Sequence, residues 1–158
     1  MFALLLLFAA AGTSPAGAPR VTLPKAAGAC SAVTTLDVER ALRRSVGRGQ
    51  EETHAAESVC DYRAGTGLVS VTIQHLRQKL DLAAEIASLT RNIEGATVRM
   101  AEGLGATAFY LDIEGAGTQL HVVRDDGEYV MLSVLGFGDA AQVSPAAERL
   151  VRIALGRL

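Results

Sequence analysis

The sequence contains no tryptophan, only three tyrosines and two cysteines, and no run of charge of either sign. Each shortage removes a class of function. Sugar-binding sites commonly stack rings on exposed Trp or Tyr, and a chain with no Trp and 4% aromatic residues supplies such a platform poorly. Fifteen Lys and Arg stand against seventeen Asp and Glu, a formal net charge of −2. That balance provides no basic stripe to displace counterions from a phosphate backbone, so nucleic acid is excluded as a partner. The longest apolar run is Met1 to Ala11, about half of the roughly 20 residues that a membrane-spanning helix needs. The two cysteines lack the Cys-x-x-Cys spacing of a redox dithiol. Gly-x-Ser-x-Gly, His-Glu-x-x-His, phosphate-loop and calcium-loop spacings are also missing, so no cofactor or metal is expected.

What is present is the composition of one globular domain. The chain has 158 residues, 49% apolar and 20% charged, enough to bury roughly two-thirds of its unfolded surface without help from a metal. MFALLLLFAAA at the start, followed by small turn-forming residues, has the length of an export-signal hydrophobic region. Ser14 and Ala16, or Ala16 and Ala18, supply the small residues that cleavage requires. Residues 1–18 are therefore assigned as an export signal, 19–29 as a flexible Ala-, Gly- and Pro-rich leader, and 30–158 as a single domain. No Lys or Arg precedes the apolar run, the one departure from the usual signal. The expected location is secreted or periplasmic, with no transmembrane span left after signal removal.

In an oxidising compartment, two cysteines in a small domain are most simply a disulfide, so Cys30 and Cys60 are assigned to a structural bridge. His54 lies six residues before Cys60, but two thiols and one imidazole without a second close-spaced pair make a poor metal site. Lipid attachment at Cys30 would need an apolar residue three positions earlier, continuous with the export segment, and Ala27 stands there alone.

Periodicity predicts an α+β fold. Thr34 with Asp37 resembles a capping box and opens a short helix; 47–57 reads as a loop. Val59 to Arg63 and Leu68 to Leu76 read as a hairpin around Ala64-Gly65-Thr66-Gly67. Leu82, Ile86, Leu89 and Ile93 recur at helical spacing. Ala96 to Met100 can form a short strand, and a three-stranded meander follows over 109–134, with Asp126-Gly127 as its second turn. Ser144 and Pro145 are the predicted cap and first residue of a last helix, with Arg157 facing water near its negative end. The expected architecture is a mainly antiparallel sheet of five to six strands built from hairpins, with three helices packed on it.

Gly103-x-Gly105-x-x-Ala108 mimics a dinucleotide fingerprint but leads into a strand rather than a helix, so it is a turn. His54, His75 and His121 are the only imidazoles. His121, on the face opposite Leu120 and Val122, is expected near Tyr110 and Tyr129, and these three residues are the candidate ligand face. The expected function is an exported, non-enzymatic domain that binds a protein or small ligand through its sheet face. The alternatives are a small hydrolase or metal-dependent enzyme using His121 or His54, with Ser133 or Asp112 as companion of His121, and a purely structural envelope component.

Cys30 before a short helix, Val59-Cys60-Asp61-Tyr62, Val69-Ser70-Val71, the segment Glu102 to Ala108 and the C-terminal amphipathic helix resemble small bacterial cell-envelope lipoprotein domains of unknown function. The similarity covers nearly all of Cys30 to Leu158. It implies an exported envelope protein with Cys30 and Cys60 bridged, and no known activity. The lipid-attachment motif of such proteins is not matched here.

Overall fold

Strands of alternating character form the centre of the molecule, which we describe from a computed structural model covering residues 28–104 and 107–158. The export-signal and leader assignments fall mainly on residues 1–27, outside the described residues. Seven strands are found among the described residues: β1 (Gln50–Thr53), β2 (Glu57–Ala64), β3 (Gly67–His75), β4 (Ala96–Ala101), β5 (Thr107–Ile113), β6 (Gly117–Val123) and β7 (Glu128–Leu135). They form one sheet in the order β1-β2-β3-β7-β6-β5-β4, antiparallel at every junction. Among the described residues four helices accompany it: α1 (Ala29–Ala32), α2 (Thr35–Leu42), α3 (Leu82–Asn92) and α4 (Ala140–Leu155). The α+β, mainly antiparallel expectation holds, with more strands and one more helix than the sequence suggested.

The two faces of the sheet are covered differently. On the first face Val69, Val71 and Ile73 of β3, Leu120 and Val122 of β6, and Val130, Leu132 and Val134 of β7 are fully buried. They meet Val143, Ala147, Leu150, Val151 and Ala154 of α4 in the main core, joined by Ala29, Ala32 and Val33 near α1 and by Val38 of α2. Each such burial contributes roughly 1.5 to 3 kcal/mol for a Val or Leu, so this face carries most of the cohesion. On the second face lie Phe109 and Leu111 of β5, His121 of β6 and Tyr129 of β7. The segment from β3 to β4 carries α3, which packs beside β4.

Four expectations are corrected. The polar segment 47–57 is not all loop: Gln50–Thr53 is an edge strand with every residue exposed, held by pairing with β2. Apolar patterning cannot reveal such a strand, because no face of it is buried. The last helix starts at Ala140, not Ser144. Asp139 accepts from the Gln142 amide and the Gln142 side chain accepts from the Asp139 amide, a capping box that outcompetes Ser144 and leaves Pro145 inside the helix. At the β6–β7 turn only Gly127 is left-handed, φ 87°, so Asp125-Asp126-Gly127 is a three-residue loop. Arg157 does not simply face water. Its guanidinium donates to Asp37 Oδ2 at 2.6 Å and to the Ala32 carbonyl at 3.0 Å, tying the C-terminus to α1 and α2.

Candidate ligand site on the second sheet face

Strand register decides which candidate residues meet. Phe109, His121 and Met131 are cross-strand partners in one row, and Tyr129 lies two residues from Met131 on the same face. The His121 ring stacks on Phe109, with centroids 4.5 Å apart and planes 9° from parallel. Its Nδ1 shares a hydrogen bond with Tyr129 Oη at 2.6 Å. Both rings are buried, and Nε2 of His121 has no hydrogen-bond partner among the described residues. Burial pushes the imidazole pKa down from 6.5 to about 4, so His121 is neutral at ordinary pH. Burial also raises the Tyr129 phenol, assisted by the negative charge of Glu85 on α3.

Tyr110 is on the other face. It pairs with Leu120 across the β5–β6 ladder, one register position away from the expected meeting with His121. There the Arg99 guanidinium lies 3.6 Å from the Tyr110 ring centroid and donates to Asp112 at 2.6 Å and Ser144 at 2.5 Å. Tyr110 Oη reaches Glu148 Oε2 at 3.4 Å, and burial followed by that carboxylate raises its pKa. The structure thus joins His121 with Tyr129 and assigns Tyr110 to an ionic network between β4, β5 and α4.

The companions that a His121 enzyme would need are not assembled. Asp112 is engaged by Arg99 and by Thr118, whose hydroxyl donates at 2.6 Å, on the Tyr110 side. Ser133 pairs with Gln119 in the next row and makes no side-chain hydrogen bond to His121. His54 is exposed between β1 and β2, and His75 lies 3.5 Å from Glu128 at the end of β3. Among the described residues no cluster of His, Cys, Asp and Glu has the arrangement to hold a metal ion. The two thiols of the weighed Cys30–Cys60–His54 site are joined in a disulfide, with their Cα atoms 5.1 Å apart. This bridge links α1 to β2. Around it the Ala29 amide donates to Ser58 Oγ at 2.9 Å, the Cys30 amide to Glu51 Oε1 at 3.1 Å, and the Tyr62 hydroxyl to the Val33 carbonyl.

The segment that sequence reasoning passed over is 76–81, which leads into α3. With the start of α3, the end of β6 and the β6–β7 turn it lines an open cavity of about 450 Å³. Leu80, Leu82 and Val123 give it an apolar wall, and Arg77 and Lys79 stand at its rim. Leucines at 76, 80 and 82 interleaved with cations were the available signal, but they make no regular period and so read as linker. Val123 is the cross-strand partner of Tyr129, so the cavity adjoins the His121–Tyr129 pair.

Helix α3 is held more loosely than the helices of the first face. Its stripe of Leu82, Ile86 and Leu89 is half-buried, and none of its residues is fully buried, whereas α4 buries six. Among the described residues no helix is long and apolar enough to cross a membrane. Comparison of the chain with family models, curated proteins and solved structures finds no match.

Proposed function

We propose that this protein is an exported, non-enzymatic binding domain that holds a small apolar-bodied ligand between α3 and the second face of the sheet. The observation that carries this reading is the pairing of an open cavity of about 450 Å³ with a helix whose apolar stripe is incompletely buried. Ligand sites of small molecules are concave, mainly apolar and of a few hundred Å³, with a few polar groups that fix orientation. Here the polar groups are the exposed cations Arg77 and Lys79 of the lining. Export is supported by the Cys30–Cys60 bridge together with the apolar run at Met1 to Ala11. The non-enzymatic part rests on His121 being neutral, sealed and bonded to Tyr129 rather than to a nucleophile or carboxylate.

Titration with Nile red, read by fluorescence, tests the site. The expected result is saturable binding of one dye per chain. Leu80→Asp, which places a charge on the apolar wall from a half-buried linker position, should abolish that binding while leaving the circular dichroism spectrum unchanged. No saturable dye binding, or equal binding by Leu80→Asp, overturns the reading and leaves a protein partner on the sheet face as the better account.

A further inference from the structure

The cavity before α3 has walls of unlike chemistry. On one side Leu80, Leu82 and Val123 present hydrocarbon; at the rim stand the exposed side chains of Arg77 and Lys79. The β6–β7 turn, with Arg124, Asp125 and Asp126, lines the same cavity and is tied to this segment by the Leu76 amide, which donates to the Gly127 carbonyl at 2.8 Å. Arg124 and Asp126 neutralise one another at 2.9 Å, and Asp126 also accepts from the Glu128 amide at 3.1 Å. What remains is Arg77 and Lys79 against Asp125, and neither cation is ion-paired among the described residues. The end of α3 is not itself the attraction, because Asp81 already accepts from the Ala84 amide there at 3.1 Å.

An apolar wall that ends in two unneutralised cations suits a molecule with a matching division. Its chain would displace water from the leucines, and its head would take charge-assisted hydrogen bonds from guanidinium and ammonium. We propose that this cavity binds a single-chain amphiphile with an anionic head, a carboxylate or a phosphate. The head lies on Arg77 and Lys79, and the chain runs along Leu80, Leu82 and Val123 toward the His121–Tyr129 pair. This rests on the ligand-binding reading above and adds to it the identity of the head. Asp125, on the β6–β7 turn that lines the same cavity, repels an anion and so favours the head on Arg77 and Lys79.

Displacement of Nile red by a series of probes with a common chain separates head from chain. Decanoate and decyl phosphate are expected to displace the dye about tenfold more tightly than decanol, and decylammonium more weakly than decanol. Acetate and inorganic phosphate, heads without a chain, are expected not to displace it at the same concentrations. The double variant Arg77→Ala/Lys79→Ala alters two exposed residues. It should keep its melting temperature and its affinity for decanol while losing the tenfold preference for decanoate. Asp125→Asn should tighten decanoate binding. Equal displacement by decanol and decanoate, or an undiminished preference in the double variant, overturns the headgroup inference while the apolar site stands. Displacement by acetate or phosphate alone overturns it as well, in favour of a simple anion site. If Nile red does not bind at all, the ligand-binding reading fails first and this inference with it.

Discussion

His121 is a histidine kept neutral by its surroundings, and that makes it a pH-dependent element of stability. The unfolded chain binds its proton near pH 6.5, whereas the folded chain resists protonation until about pH 4. Between these values the unfolded state holds more protons, so stability is full above pH 6.5 and declines as pH falls toward 4. The shift corresponds to about 3 kcal/mol, a large part of a domain's net stability. Urea denaturation at a series of pH values should show this decline in the wild type, and His121→Phe should flatten it. An unchanged slope in the variant would assign the loss to other groups. Tyr129→Phe gives a second check. It leaves Nδ1 of a buried imidazole without its partner and should cost about 1 to 3 kcal/mol at neutral pH, where titration plays no part. Asp37 titrates in a separate window. Burial works to raise its pKa, but hydrogen bonds from Arg157 and Thr34 prevail and hold it at about 2. Its contribution is present above pH 3.8 and lost as pH falls through 2, below the range in which His121 acts. Arg157→Ala should therefore soften the loss below pH 3.8 and leave the higher step in place.

Among the elements, α3 and α4 are both amphipathic, yet their attachment differs. Helix α4 buries Val143, Ala146, Ala147, Leu150, Val151 and Ala154, while α3 buries no residue completely. Elements with few buried contacts open locally at a free energy well below that of global unfolding. Amide hydrogen exchange should show the α3 amides exchanging by local opening, with weak dependence on denaturant, and the central α4 amides exchanging only with global unfolding. Saturation with a bound chain should slow α3 exchange and leave α4 unaltered. Equal protection of the two helices in the free protein would argue against α3 as the adaptable wall of the site. The stripe of α3 and the meander strands were legible in the sequence because their periodicity is imposed by burial on one side. The start of α4 was less so, because Ser144-Pro145 is a valid local signal that lost to Asp139 with Gln142 five residues earlier. Edge strand β1 was illegible, its four residues being polar and exposed, and it is held by pairing with β2 and by the Cys30 amide on Glu51. The burial of His121 was equally hidden. Alternation puts it opposite Leu120, but whether that face is wet or covered depends on where α3 folds back, which no local pattern encodes.

For the molecule as a whole, the first-face core and two long-range ties hold the ends of the domain. Arg157 reaches Asp37 across 120 residues, and Cys60 is bonded to Cys30 across 30. The ion pair is partly exposed, so its contribution is modest and sensitive to salt. The disulfide is different in kind. Closing a loop of this size removes unfolded-chain entropy worth about 3 to 4 kcal/mol, and the bridge fixes a four-residue helix, α1, that is far too short to persist unaided. Replacing both cysteines by alanine should lower the unfolding free energy by that amount, read as a lower urea midpoint at unchanged slope. The sheet should remain, because the β2–β3 and β3–β7 ladders and the packing of α4 on Val69, Val71 and Leu132 persist when α1 is loosened. The ligand site should also survive, since it lies at the start of α3, away from the α1–β2 bridge. A folded double variant with reduced stability and unchanged Nile red affinity is the expected outcome. Reduction of the wild type should reproduce its midpoint, which ties the effect to the bond rather than to the new side chains. A midpoint unmoved by either treatment would mean that α1 is secured by the Ser58, Glu51 and Tyr62 hydrogen bonds alone. The bridge would then lend no support to export.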